Sequence, residues 1–188
     1  EAVAEAVVTA GIRILEVPLN SPDPFTSIGL LARSLAGRAL VGAGTVLTLE
    51  DVAGVAEAGG TVVVSPNTNV EVIRASKARG LLSLPGFFTP SEAFAALEAG
   101  ADALKLFPAE MASPAAVKAM RAVLPRSTKV LVVGGVSPQT IPPYLAVGVD
   151  GFGVGSDLYA VGRSAAEVGE RAAALTAAIR AMRGERTA

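Results

Sequence analysis

The chain has 188 residues, a length that suits one domain with a sizeable hydrophobic core. Its 16 basic and 17 acidic residues nearly cancel, which argues against a nucleic-acid or acidic-membrane partner. The sequence has no cysteine and no histidine, so disulfides, thiolate chemistry, Cys-ligated zinc and a histidine base are excluded.

The elements predicted along the chain alternate between helix and strand. The chain opens within a predicted helix over residues 1–10, with no signal peptide visible. Short β-branched runs then recur and predict strands over 12–17, 39–42, 61–65, 81–84, 103–107, 129–133 and 151–154. The Ala-rich segments between them predict helices over 24–36, 49–58, 70–79, 90–99, 114–123 and 138–146.

This alternation favours a parallel sheet with helices on both faces, and the spacing suits a (β/α)₈ TIM barrel. Seven strands are predicted instead of eight. We therefore expect the first strand to precede Glu1, leaving residues 1–188 as a single, N-terminally incomplete domain. An open doubly wound sheet is the alternative, although no Gly-x-Gly-x-x-Gly turn follows the first predicted strand. Residues 130–149 lack charge, but their glycines and prolines argue against a membrane span.

Glu16 lies at the end of the first predicted strand, on the same face as Ile12 and Ile14. In a barrel, the carboxyl ends of the strands carry the chemistry. Glu16 either moves protons there or serves only to neutralise a buried cation. Thr45 follows the second strand and either bonds a substrate oxygen or acts as a local cap, while Thr89 reads as a helix cap.

Lys105 lies in the middle of the predicted strand over 103–107, where lysine is unusual because an unpaired buried ammonium is costly. Desolvation lowers the pKa of such an amine and frees it to attack a carbonyl as a Schiff-base nucleophile. A lysine that reaches back to solvent is the alternative. The strand period points Lys105 and Glu16 into one barrel mouth, which favours the catalytic interpretation.

Two glycine turns follow the last two predicted strands. Gly134 and Gly135 precede a helix, and Gly155 with Ser156 ends the final strand. Backbone amides in such turns can approach an anion, and these loops of a (β/α)₈ barrel are frequent phosphate sites. Tight turns without a ligand are the alternative.

Together these residues resemble the 2-keto-3-deoxy-6-phosphogluconate/6-phosphogalactonate (KDPG/KDPGal) aldolase family, the small class I pyruvate aldolases. The resemblance covers about residues 10–159. It is carried by six motifs: EVPLNSP at 16–22, GAGTVL at 42–47, SPN at 65–67, LKLFPAE at 104–110, VGGVSP at 133–138 and GSDLY at 155–159. The first and last motifs are more similar to the phosphogalactonate branch.

The resemblance implies a role for each matching residue. Lys105 would be the Schiff-base lysine, Glu16 the proton carrier, and Thr45 and Pro66 parts of the substrate pocket. The phosphate-binding residues would be Gly134, Gly135, Val136, Gly155 and Ser156. The family also carries a carboxylate-binding arginine at the end of its first strand, a point that this sequence does not reach.

The implied function is cleavage of 2-dehydro-3-deoxy-6-phosphogalactonate to pyruvate and D-glyceraldehyde 3-phosphate, with no metal and no cofactor. The phosphogluconate epimer, another phosphate-binding barrel enzyme, or a non-catalytic phospho-sugar-acid binding barrel are the alternatives. The resemblance further implies a cytoplasmic homotrimer in carbohydrate metabolism, related to the Entner–Doudoroff route and to galactonate degradation.

Overall fold

The computed structural model describes residues 1–184, in which strands and helices alternate almost throughout. The strands are β1 (Ile14–Pro18), β2 (Leu40–Gly44), β3 (Val62–Val64), β4 (Leu82–Leu84), β5 (Gly86–Phe87), β6 (Leu104–Leu106), β7 (Val130–Val133) and β8 (Gly151–Gly153). The helices are α1 (Ala2–Thr9), α2 (Pro24–Ser34), α3 (Leu49–Glu57), α4 (Val70–Ala78), α5 (Pro90–Glu98), α6 (Pro114–Val123), α7 (Ile141–Ala146) and α8 (Ala165–Arg183). A short 3₁₀ turn, Ala109–Met111, follows β6.

Every strand pairs in parallel with its neighbour in the sequence, in the orders β1-β2-β3-β4 and β5-β6-β7-β8. Only Pro85 separates β4 from β5, so the strand predicted over 81–84 continues across both sheets. The strand order never reverses, unlike that of a doubly wound sheet. The predicted α/β architecture of a (β/α)₈ barrel is confirmed, with β1 and β8 as the edges of the run in the described residues.

Alternation along the strands separates an inner from an outer apolar layer. Val62 of β3, Leu84 of β4 and Ala103 before β6 pack together with Leu131 of β7. Side chains from several strands meet in this way inside a barrel. The opposite face, for example Val63, packs with the helices. Residues that follow Ala103 on its face therefore point up the barrel interior.

Helix α8 lies outside the predicted elements and closes one side of the fold. Val168 and Ala172 of α8 pack on Val7 of α1, in a cluster that also includes Leu15 of β1 and Val154 after β8. The two edge strands are therefore near each other. No helix within residues 1–184 is long and apolar enough to cross a membrane.

The predicted cap at Thr89 is confirmed. Its hydroxyl accepts from the Glu92 amide at 3.3 Å, and the Glu92 carboxylate accepts from the Thr89 amide at 2.7 Å. This reciprocal capping box fixes the start of α5 directly after β5.

Candidate active site

Lys105 lies on β6, on the inner face of the barrel. It is only 7% exposed, and no salt bridge within residues 1–184 includes it. Its Nζ lies 4.8 Å from the ring centroid of Phe107, two residues further along the same face. Burial lowers the pKa of the Lys105 ammonium, and the charge of Glu16 opposes that shift. A buried amine with a lowered pKa has the properties of a carbonyl nucleophile.

Glu16 on β1 faces the same interior, as the strand period predicts. Its backbone pairs with Gly42 on β2, and its neighbours Leu15 and Val17 pack outward into the core. Burial raises the pKa of the Glu16 carboxyl, and the positive charge of Lys105 partly offsets that rise. The side chain nevertheless remains accessible to solvent, so a substrate can reach it.

Lys105 and Glu16 influence each other electrostatically without forming a direct salt bridge among the described residues. The pKa of Glu16 is raised and that of Lys105 is lowered, because burial is the largest cause in both cases. Both shifts favour the neutral form of the side chain. Such an arrangement can form a carbon–nitrogen bond at one group and move a proton at the other.

Thr45 follows β2 at the same end of the barrel and has a left-handed backbone, with φ at 58°. This conformation is strained for a β-branched residue. Thr48, and not Thr45, caps α3. Pro66 lies after β3, where its carbonyl and the Asn67 amide approach Gly86 so closely that a side chain there would collide with them. Thr45 and Pro66 thus both lie on the carboxyl-terminal rim, where the pocket is predicted.

The two glycine turns follow neighbouring strands, because Val133 of β7 pairs with Gly153 of β8. Gly134 and Gly135 have φ values of +106° and +61°, which explains glycine at both positions. Val136 is buried after them. The predicted phosphate residues of the two turns therefore share one edge of the barrel.

The second turn is exposed at Gly155 and Ser156, and space for an added side chain at Gly155 is open. The Arg163 guanidinium donates to the carbonyls of Ser156 and Asp157 at 3.0 and 2.9 Å. Arg163 was not among the predicted site residues. It places a positive charge beside this turn.

Two further residues at the site escaped sequence analysis. The Glu110 side chain lies over the first turn, with its Cγ 2.7 Å from the position that a Gly135 Cβ would occupy. Gly44 of β2 lies against the Glu16 carboxylate. Gly44 had a visible signal, since a glycine inside a strand often marks a close approach. No group of three or more His, Cys, Asp or Glu residues in the described part of the chain could hold a metal ion.

Comparison with known proteins gives concordant results. The family described as "Aldolase: KDPG and KHG aldolase" matches residues 1–175. A probable 2-dehydro-3-deoxy-6-phosphogalactonate aldolase of Rhizobium meliloti (strain 1021) is 46% identical, over 98% of this chain and 87% of that protein. The 2-dehydro-3-deoxy-6-phosphogalactonate aldolase of Escherichia coli (strain K12) is 44% identical, over 93% of this chain and 85% of its own length.

Solved structures agree with these sequence matches. A native KDPGal structure superposes with a TM-score of 0.95 and 43% identity, covering 97% of this chain and 89% of that one. A KDPG aldolase of Legionella pneumophila, described with pyruvate captured as a covalent carbinolamine intermediate, gives a TM-score of 0.79 at 29% identity. That match covers 92% of this chain and 85% of the other.

Proposed function

Because this chain belongs to the KDPG and KHG aldolase family and is therefore an aldolase, a lyase, we propose that it cleaves 2-dehydro-3-deoxy-6-phosphogalactonate. The products are pyruvate and D-glyceraldehyde 3-phosphate. The observation that carries this proposal is the buried Lys105, which has no salt-bridge partner in the described residues and shares the barrel interior with Glu16. The two relatives named for this substrate supply its identity.

The reaction begins when the neutral Lys105 amine attacks the C2 ketone and forms a carbinolamine. Loss of water gives an iminium ion, which accepts the electron pair when the C3–C4 bond breaks. Glu16, through a water molecule, takes the proton of the C4 hydroxyl and later returns a proton to C3 of the enamine. Hydrolysis then frees pyruvate and regenerates the amine. The carbinolamine described for the Legionella pneumophila enzyme supports this route.

The remaining predicted residues hold the substrate. Thr45 and Pro66 line the sugar-acid end of the pocket, and their positions on the rim support this assignment. The amides of Gly134, Gly135, Val136, Gly155 and Ser156 bind the phosphate. Support comes from the glycine backbone of the two turns after β7 and β8 and from the positive charge of Arg163 beside the second turn, whereas the Glu110 carboxylate beside the first turn opposes an anion. Binding the phosphate fixes the scissile bond over Lys105.

Borohydride trapping tests the covalent step. Incubation with pyruvate and borohydride should reduce the iminium and attach pyruvate irreversibly to Lys105, as mass spectrometry of the digested protein would locate. A non-catalytic binding barrel would remain unlabelled. Labelling that persists in Lys105→Ala would contradict the assignment of the nucleophile.

Comparison of the two C4 epimers tests the substrate. We expect a higher kcat/KM for the phosphogalactonate derivative than for the phosphogluconate derivative. The reverse order would make this chain a KDPG aldolase instead, an activity that other members of the family carry in their names.

We also propose that residues 1–188 form a single aldolase domain that assembles as a homotrimer in the cytoplasm. Support for assembly comes from apolar side chains on the outer surface. Phe88 and Met111 are 39% and 75% exposed and line a cavity of about 310 Å³ beside α6. Surface of this kind is typical of protein interfaces. Light scattering of the purified protein would test the trimer.

A further inference from the structure

We infer that Gly44 is a positioning residue: its missing side chain forms the space in which the Glu16 carboxylate lies. The inference rests on the proposed role of Glu16 as the proton carrier and extends it to a residue that holds Glu16 in place. A Cβ added to Gly44 would meet Oε1 of Glu16 at 2.6 Å and the other two atoms of the carboxylate at still shorter distances.

The strand register explains why these two residues meet. β1 and β2 are parallel, with Glu16 paired to Gly42 and Pro18 paired to Gly44. Glu16, Gly42 and Gly44 therefore share the inner face, and the Glu16 side chain leans along the strand toward the barrel mouth to reach Gly44. Any side chain at residue 44 would occupy the path of the carboxylate.

Backbone conformation does not account for the glycine at this position. Gly44 is absent from the glycines with positive φ, so an alanine could adopt its backbone without strain. Gly42 differs from Gly44, because a Cβ added to Gly42 would lie 2.6 Å from the carbonyl carbon of Val62 and would collide with the backbone of β3. At Gly44 the three nearest atoms all belong to the flexible end of Glu16. Glycine is therefore needed at residue 44 for the position of the Glu16 side chain and not for the backbone conformation.

The surroundings of Gly44 would hold the backbone in place after substitution. Its carbonyl accepts from the Leu19 amide at 2.9 Å, and β2 pairs with β3 on its other side. The methyl group of an alanine cannot retreat, so the carboxylate must move away from it. That movement would displace the proton carrier while leaving Lys105, on the distant strand β6, unchanged.

The test separates bond formation at Lys105 from proton transfer at Glu16. In D₂O, the pyruvate iminium loses a methyl proton to the Glu16 carboxylate, its electrons pass to the iminium nitrogen, and the enamine then takes up a deuteron. We expect Gly44→Ala to retain borohydride trapping of pyruvate and to lose methyl exchange about 100-fold, as is typical for loss of a positioned acid–base group. NMR of the pyruvate methyl signal measures the exchange.

Two controls make the result specific. Gly29→Ala introduces the same change on α2, where the nearest atoms are an ordinary 3.4 Å away, and should exchange at the parent rate. In a Glu16→Gln background, Gly44→Ala should have no additional effect, because the carboxylate that it displaces is already absent. Parent-like exchange in Gly44→Ala, or an equal further loss in the Glu16→Gln background, would overturn the inference.

Folding gives an independent check. If Gly44→Ala alone is unstable, Gly44→Ala/Glu16→Ala should recover the parent melting temperature to within a few degrees, because removal of the carboxylate clears the methyl group. A double variant that also fails to fold would show that the glycine is needed by the backbone, and the inference would fall. A parent protein that neither traps nor exchanges pyruvate would instead refute the proposed function.

Discussion

The two ends of the barrel differ in whether their charged residues form salt bridges and hydrogen bonds with the protein. At the amino-terminal end, Asp150 precedes β8 and accepts from the Val130 amide at 2.9 Å, from Lys129 at 3.1 Å and from Arg121. Burial alone would raise the pKa of the Asp150 carboxyl, but these hydrogen bonds outweigh it and leave the pKa lowered. At the carboxyl-terminal end, neither Lys105 nor Glu16 has such a partner in the described residues.

A second cluster at the amino-terminal end repeats the pattern. Asp102 precedes β6, accepts from the Ser83 amide at 2.8 Å and forms a salt bridge with Lys77 at 2.7 Å. Both aspartates tie one strand to its neighbour while a cation satisfies their charge. The contrast indicates that paired charges stabilise the fold at the amino-terminal end, whereas the charges of Lys105 and Glu16, which form no salt bridge in the described residues, are available for chemistry at the other end.

Lys105→Met should show the contrast most strongly, with the largest effect on activity. The substitution keeps an unbranched side chain but removes the nucleophile, so we expect turnover to fall by about 10⁴-fold or more. Lys129→Met is the matched control at the paired end, since Lys129 is 64% exposed and contributes one arm of the Asp150 cluster. Steady-state assays of both variants should show loss in the first and parent-like turnover in the second.

Asp150→Ala should have the opposite effects to Lys105→Met, because it should lower the stability of the fold and leave the reaction at Lys105 unchanged. It removes the acceptor of the Val130 amide and the carboxylate partner of the partly buried Arg121 guanidinium. That guanidinium then keeps only the carbonyls of Thr128 and Gly148 among the described residues. We therefore expect the free energy of unfolding to fall by about 2–3 kcal/mol. Urea denaturation measures the loss. Borohydride trapping of pyruvate, measured well below the unfolding midpoint, should match the parent; a loss of trapping in folded protein would contradict the division between the two ends.

Much of this fold was predictable because its signals are local. The seven predicted strand segments all correspond to strands, and the alternation around Lys105 and Glu16 gave their shared face correctly. Helix α8 was missed although its capping box, Ser164 with Glu167, is visible in the sequence. Its Ala-rich composition gives a weak apolar stripe, and its place is decided by packing on α1.

The position of the two charged groups of the candidate site was predictable, but the position of the residues around them was not. A lysine within an apolar strand and a strand-end glutamate each left an alternative open, and the strand period was what placed them together. The contact between Gly44 and Glu16 depends on strand register and on a side-chain direction, and neither is set by local sequence. The same holds for Glu110, whose contact with Gly134 and Gly135 joins two loops that follow different strands.

The pH dependence of stability measures how much the burial of Lys105 lowers the free energy of unfolding. Burial lowers the folded-state pKa of this lysine, so the unfolded chain binds the proton more readily between the folded and unfolded pKa values. Stability should therefore rise with pH through that window. In a Glu16→Gln background, which removes the opposing charge, adding Lys105→Met should raise the melting temperature near neutral pH, because it removes a buried ammonium.

The gain from Lys105→Met should shrink as the pH approaches that of an ordinary lysine pKa, because the unfolded lysine then loses its proton as well. Thermal melts of Glu16→Gln and Glu16→Gln/Lys105→Met at a series of pH values measure the difference. A gain that is independent of pH would mean that the methionine acts through packing alone.

Glu110→Gln should have the smallest effect and tests the carboxyl-terminal end at its phosphate turn. The Glu110 carboxylate lies against Gly134 and Gly135, and a negative charge beside a bound phosphate opposes binding. Glutamine keeps the shape and removes the charge, so KM for the phosphorylated substrate should fall by about 2- to 5-fold at low salt, with less change at high salt. Pyruvate methyl exchange, which involves no phosphate, should stay at the parent rate.

Glu98→Gln, at the exposed end of α5, is the matched control for this charge change and should leave KM unaltered. A rise in KM for Glu110→Gln would mean that the carboxylate supports the turn and does not repel the phosphate. That outcome would bring Glu110 closer to the aspartates at the other end, whose charges serve the fold. A fall in KM would mean that the Glu110 charge acts on the bound substrate. Glu110 would then resemble Lys105 and Glu16, whose charges we expect to act on the substrate and not on the fold.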